Sequence, residues 1–332
     1  MRIKSLLFIV LIILFFAGYS SIVGAQNITL KLGSTNAPET LYSKSINYLA
    51  ELVDKKSEGR LQIEYYPASQ LGSALDQAEG VMYGEIDMFM SRVEWYSQFV
   101  QDWNILALSF GFESEDDFNR FFETDIHKEL KKELLNEYGV RMISDNLRNE
   151  PRIMVATRPV FNEKDISLLT IRVPEIEVYN KVWELLAHPT QIAFGETYLA
   201  LQQGVVDAME SPIGIIYGSS LYEPAPYVLV TNHMYGRSSL IINEEKYQSL
   251  PEDLQNVLKE SIRETEERHN QLSIMEDQKV LEKFVENGAV LIYFNTLPLK
   301  EKILNNIGNF ESAGLWSEGL YQKVQELVRV QQ

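Results

Sequence analysis

Apolar and polar residues alternate through Thr29-Leu30-Lys31-Leu32-Gly33, the two-residue period of a half-buried strand. From Leu41 to Ser57 the period changes: Ile46, Leu49, Ala50 and Val53 recur at helical spacing, and Gly59 ends the segment. Leu61 to Tyr66 alternates again and stops at Pro67, and a short helix around Leu75 to Tyr83 leads into the apolar strand Ile86 to Met90. Strands separated by helices predict a mostly parallel sheet covered on both faces.

The same grammar runs a second time. A helix over Asp116 to Tyr138 precedes strand segments at Val140 to Ser144, Ile153 to Ala156 and Thr170 to Pro174. Helix Val178 to Leu186, strand Thr190 to Ala193, helix Tyr198 to Gly204 and strand Val205 to Met209 follow. The pattern predicts an α/β fold of two lobes, residues 26–149 plus about 237–276 and residues 150–236 plus about 277–332. No low-complexity linker separates them, so strands or a helix must cross between lobes and form the hinge. The stretch opened by Ser249-Leu250-Pro251-Glu252 runs with few breakers to Asn287-Gly288. Read as one helix of about 35 residues, it would be roughly 50 Å long and brace both lobes; two consecutive helices with a bend fit the same residues. Strand Ala289 to Phe294 and a helical C-terminal segment complete the chain.

Ahead of all this, Arg2 and Lys4 precede the unbroken apolar run Leu6 to Phe16, and small residues end at Val23-Gly24-Ala25. Residues 1–25 read as a secretory signal peptide, since the run falls short of the roughly 20 residues that span a bilayer. An uncleaved N-terminal anchor is the alternative, and it changes nothing downstream. Export to the periplasm is the expected location.

Composition narrows the chemistry. The chain has no cysteine, which rules out disulfides, thiolate metal sites, cysteine nucleophiles and a cysteine-linked lipid. Its apolar fraction of 45% suits a packed core. The formal charge of −17 becomes −19 once Arg2 and Lys4 leave with the signal, which argues against nucleic acid. An acidic protein that binds an anion must place a few arginines against its own field.

The search for catalytic motifs is mostly negative. His127, His188, His233 and His269 lie far apart and show no metal-ligand spacing. The chain carries no nucleophile elbow, Walker loop or dinucleotide-binding glycine turn. Its 47 acidic residues guarantee that some carboxylate pair looks suggestive, which without geometry carries no weight. Arginines are more informative. Arg172 lies in Thr170-Ile171-Arg172-Val173-Pro174, where its neighbours point to the opposite face of a strand and proline ends the pairing. Its planar guanidinium suits a bidentate carboxylate, although a surface or salt-bridged arginine fits that position as well. Arg152 opens the strand Ile153-Met154-Val155, and Arg92 follows Ile86 to Met90 at the strand's carboxyl end, where open α/β sheets bind ligands.

Taken in order, several stretches match a known family: Glu51 to Leu61, Tyr66-Pro67-Ala68-Ser69-Gln70-Leu71-Gly72, Ile171-Arg172-Val173-Pro174, Ala193 to Pro212, Thr231-Asn232-His233 and Leu250 to Gln255. The chain resembles the extracytoplasmic solute-binding proteins of tripartite ATP-independent periplasmic (TRAP) transporters. The resemblance implies two α/β lobes that close over an organic acid, a dicarboxylate or sugar acid, and deliver it to the membrane subunits of a permease. It implies no catalysis; the chain is read as a monomer or dimer with no catalytic residue, no metal-ligand set and no cofactor, and whether a metal bridges the ligand stays open on sequence alone. By the family's pattern Arg172 pairs with the ligand carboxylate, Arg152 assists, Phe194 walls the pocket, and Thr35 and Asn36 touch the ligand's far end. Tyr217 and Tyr235 are placed where aromatics often line the cleft.

Two positions depart from that pattern. Ser211 stands where the family usually has asparagine and offers a shorter reach and a single donor. Arg92 stands where some relatives have a neutral or acidic contact, and a third cation suggests a ligand with a second anionic group. Two other readings stay open on sequence alone: an exported hydrolase or lyase acting on a carbohydrate acid, and a ligand-sensing partner of a membrane receptor.

Overall fold

The structure, a computed structural model, describes residues 27–293 and 295–329; the signal-peptide reading of residues 1–25 lies outside them, as does Phe294. Nine strands form one mixed sheet. β1 (Ile28–Ser34), β2 (Leu61–Tyr66) and β3 (Met88–Arg92) lie parallel at one end, with β1 in the middle. β5 (Thr170–Val173), β6 (His188–Gln191) and β7 (Ala208–Pro212) make a second parallel group at the other. Two antiparallel strands of 17 residues each, β4 (Val140–Ala156) and β8 (Tyr227–Asn243), join the groups, and β9 (Val290–Ile292) adds to β8.

The crossing elements are therefore strands. The segments Val140–Ser144 and Ile153–Ala156, read separately from the sequence, are the two ends of β4. The intervening Asp145 to Arg152 is polar apart from Leu147 and Pro151, which hides the strand from a hydrophobicity pattern. Against β8 its register slips at several points, including Asn149/Arg152 and Arg152/Met154, the mark of a bulged and bent strand. The helix expected over Asp116–Tyr138 is also two elements, Glu115–Phe121 and Asp125–Tyr138, because the Thr124 side chain accepts from the His127 N–H and caps a fresh start. Three strands lie slightly off their expected positions: β3 and β7 run two or three residues further on, and β6 begins two earlier. Arg92 and Ser211 thus sit inside strands, at their carboxyl ends.

Among the helices, α1 (Leu41–Lys56) is capped by Thr40, whose side chain accepts from the Ser43 N–H. The long stretch is one helix, α2 (Glu252–Glu286), of 35 residues. Its first half gives Leu254, Leu258 and Ile262 to a core with Leu30, Leu32, Ile46 and Leu49. Its last turns give Val280 and Phe284 to another with Ile153, Val155, Met209 and Val228. One rigid rod thus packs into the cores of both strand groups, the bracing expected of it. Among the described residues, no helix is long and apolar enough to cross a membrane.

Midway along α2 the contacts turn polar. His269 is fully buried, with Nδ1 2.9 Å from the Ser45 hydroxyl and Nε2 2.9 Å from the Arg148 carbonyl oxygen. A carbonyl can only accept, so Nε2 carries the proton and Nδ1 accepts from Ser45. The ring joins α1, α2 and β4 in its neutral form, and burial pushes its pKa from 6.5 down to about 4. Between those values the unfolded chain binds a proton that the folded chain refuses. His269 therefore contributes stability above about pH 6.5 that is lost as pH falls toward 4, on the order of 3 kcal/mol. In urea titrations at pH 7 and pH 4.5, His269→Gln is expected to remove most of that pH dependence. An equal fall in both proteins would show that His269 is not its source.

Candidate functional site

Ligands of open α/β sheets bind at the carboxyl ends of parallel strands, and both strand groups turn those ends toward one cleft. From the first group come Thr35 and Asn36, just past β1, Ser91 and Arg92 at the end of β3, and Trp95 beyond it. The second group supplies Arg172 and Pro174 from the end of β5, and Ser211 and Pro212 from β7. The short helix Glu177–Glu184 adds Tyr179, and Phe194 stands on the loop after β6. Arg152 and Ser238 project from the crossing strands where β4 changes register.

Three arginines line this cleft, all buried, and their charges are handled differently. Arg152 is held bidentately by the carboxylate of Glu210, which is fully buried on the neighbouring strand. Glu210 also lies 3.2 Å from His233 Nε2, and Thr231 Oγ1 lies 2.7 Å from His233 Nδ1. Burial alone would raise the Glu210 carboxyl, but the Arg152 charge and the bonds from His233 and Arg152 outweigh it and hold it ionised well below the usual carboxylate range. Burial pushes His233 down despite Glu210, keeping the ring neutral near neutral pH. Arg92 donates its Nε to Glu94 and one terminal nitrogen to the Tyr235 carbonyl at 3.2 Å. Glu94 is itself buried and also accepts from the Tyr179 hydroxyl at 3.0 Å.

Arg172 has no such partner. It is 2% exposed, and no ion pair among the described residues includes it. Ile171 and Val173, on either side, are fully buried on the opposite face of β5, so the strand's alternation aims Arg172 at the cleft. Its Nε donates to the Ile192 carbonyl at 2.8 Å, its guanidinium carbon lies 5.7 Å from the centre of the Phe194 ring, and its Nη2 is buried with nothing to bond. Burial lowers its pKa to about 10, with Glu210 opposing the shift and Arg152 adding to it. It remains charged at neutral pH, a cation taken out of water with no anion in contact.

Seven residues singled out from the sequence meet here: Arg172, Arg152, Ser211, Phe194, Arg92, Thr35 and Asn36. Tyr217 and Tyr235 do not. Tyr217 lies two residues, about 200° of helical turn, beyond Ile215, which faces the cleft; its ring stacks on Tyr222 and meets Phe284 edge-on. Tyr235 packs toward Phe118, because β8 points Gly236 and Ser238 at the cleft and alternation turns Tyr235 away. Gly236 leaves room for Arg92: a Cβ there would stand 2.5 Å from Arg92 Nη2 and push the guanidinium aside.

Residues 32–303 match the family described as bacterial extracellular solute-binding protein, family 7. The chain belongs to this family. Its members include the solute-binding proteins of TRAP transporters. A solute-binding protein of Roseobacter denitrificans is 28% identical over 301 residues, 87% of this chain and 90% of its own. The sialic acid-binding periplasmic protein of Vibrio cholerae is 24% identical over 86% of this chain and 88% of its own. The crystal structure of a TRAP periplasmic solute-binding protein from Ochrobacterium anthropi, with bound L-fuconate, is similar at a TM-score of 0.84 and 28% identity, covering 91% of this chain and 100% of that one.

For a TRAP solute-binding protein the carboxylates of the cleft matter as much as the arginines, and sequence reasoning passed over both Glu94 and Glu210. Glu210 had left a signal: an acidic residue in a strand with Ala208 and Met209 needs a cationic partner if buried, and Arg152 is the nearby candidate. Trp95, Tyr179 and Ser238 had none, since nothing local marks an aromatic or serine as facing a cleft. Both carboxylates are locked to arginines, Glu210 to Arg152 and Glu94 to Arg92. Without ligand, Arg152→Met is expected to cost about 3–5 kcal/mol of folding stability by stranding Glu210. Arg172→Met, which removes an unpaired buried cation, should leave stability within about 1 kcal/mol or raise it. Chemical denaturation of the two variants checks the contrast, and the reverse order would mean that Arg172 serves the fold.

Proposed function

We propose that this TRAP solute-binding protein captures an organic acid of the sugar-acid class by closing its lobes over the cleft, with the ligand carboxylate paired to Arg172. The observation that carries this reading is the buried, charged guanidinium of Arg172, which pairs with no anion among the described residues and keeps Nη2 without a partner, a lack that a carboxylate would satisfy in both charge and geometry. Arg152 adds field from behind, Phe194 covers the guanidinium face, and Ser211 offers a hydroxyl beside it. Thr35, Asn36, Ser91 and Ser238 line the rest with groups suited to a chain of hydroxyls. L-fuconate in the Ochrobacterium anthropi protein is a ligand of this class.

Closure would move residues 26–149 plus about 237–276 against residues 150–236 plus about 277–332, with β4 and β8 bending where β4 changes register. A leader of residues 1–25 would direct the chain to the periplasm, and membrane permease subunits would receive the ligand. Capture and release, with no chemical change to the ligand, is the role proposed. A thermal-shift screen of sugar acids identifies a ligand, since one that binds only the folded state raises its melting temperature. Calorimetry then tests the site: Arg172→Ala should lose about 2 kcal/mol or more of binding, a roughly 30-fold rise in Kd. Unchanged affinity would sink the assignment.

A further inference from the structure

The charge balance of the cleft narrows the class of acid it can hold, provided that the proposed function is right. Three guanidinium groups line the cleft, and two carboxylates are bonded to two of them: Glu210 to Arg152 and Glu94 to Arg92. One positive charge, that of Arg172, is left over. On the wall that the first strand group supplies, Arg92 keeps a terminal nitrogen, Nη1, buried and without a partner, but its charge is already matched by Glu94. A buried N–H there still needs an acceptor. A neutral oxygen meets that need, whereas a second carboxylate would bring a negative charge beside Glu94, into surroundings poorly able to screen it.

We propose that Glu94 is the specificity-determining residue that restricts this protein to monoacids: by neutralising Arg92 it makes that wall of the cleft a reader of hydroxyls and excludes sugar diacids and dicarboxylates. This proposal runs against the expectation of a second anionic group, drawn from Arg92 as a third cation. The geometry holds Arg92 in this role from three sides. Glu94 takes its Nε, the Tyr235 carbonyl takes another nitrogen, and Gly236 leaves the space in which the guanidinium lies. Tyr179 fixes Glu94 in turn by donating to the same oxygen that Arg92 Nε reaches.

The test compares L-galactonate and L-fuconate with galactarate, the six-carbon diacid, by calorimetry on the protein without its leader. Wild type should prefer the better monoacid to the diacid by about a hundredfold or more. In Glu94→Gln, which frees the Arg92 charge, that ratio should fall by at least about tenfold. Should Glu94→Gln not fold, wild type alone still decides. Its affinity for the diacid should rise by about tenfold or more in total as pH falls from 7 to 5, because exclusion of the doubly charged form favours the complex that has taken up a proton, while its affinity for the monoacid stays level. A wild type that binds the diacid as tightly as the monoacid, a ratio untouched in Glu94→Gln, or a diacid affinity flat with pH would each overturn the proposal while leaving the sugar-acid reading in place. If neither monoacid binds wild type, that reading fails and this inference with it.

Discussion

Burying a full charge is among the most expensive things a fold can do, and the usual remedy is a partner within hydrogen-bond reach. This chain applies the remedy at Arg152 and at Arg92 and withholds it at Arg172. The withheld partner is the constraint on which the rest depends. It requires that Arg172 sit on a strand whose other face is fully buried, so that the side chain cannot swing to water. It also requires neighbours that support the guanidinium without neutralising it: a carbonyl oxygen at Ile192 and the ring of Phe194. The overall charge of −17 opposes anion capture at long range. Surface charges beyond about 8–10 Å are largely screened at physiological salt, however, while an opposite charge at 4 Å inside a cleft is worth several kcal/mol. Contact with one unpaired arginine outweighs the distant field.

The fold makes that placement possible. Parallel strands end where their carboxyl termini converge, and here two sets of ends face one another with β4 and β8 running between them. The same strands hold the pieces together, and the closure proposed above would bend them. β4 loses its register with β8 at the residues that flank the cleft, Asn149 to Met154. Helix α2, by contrast, is continuous and anchored in a core at each end. Motion about the bulged strands would thus be resisted by a continuous rod, with His269, Asn270 and Ser273 among the polar contacts between rod and strand near the bend. A binding protein needs both properties, since a hinge without a brace would spend its ligand affinity on ordering itself.

Much of this was legible in the sequence, and the exceptions share a cause. Periodicity marked the alternating elements and the long helix, because burial of one face writes itself into the order of residues. The full length of β4 escaped because Asp145 to Arg152 gives one apolar side chain, Leu147, to a core and is otherwise polar apart from Pro151, too little for a period to show. Arg172 was visible only as an arginine flanked by two residues of the opposite face. Its isolation was not, because an absence of partners is a property of three dimensions. Tyr217 and Tyr235 went the other way, since a nearby sequence position says little about direction: one lies around the helix from Ile215, and the other alternates away from Gly236. Glu94 stands two residues from Arg92, yet only folded geometry turns those neighbours into a neutral pair.

Tyr179 shows how closely charge and mechanics are joined. Its hydroxyl bonds Glu94, beside the end of β3, while its ring lies 5.2 Å beneath the guanidinium of Arg152, on the crossing strand. Burial raises its pKa well above the ordinary value, with Arg152 opposing and Glu94 adding, so it acts purely as a neutral donor. One neutral side chain thus ties the two compensated ion pairs together across the cleft. Each pair keeps its own charge at home, and the link transmits position instead of charge. A ligand entering this arrangement meets walls whose electrostatics are already settled, apart from Arg172. Closing those walls around an anion concentrates the whole change in charge balance at a single contact, and geometry at the Arg92 wall is left to the hydroxyls of the ligand.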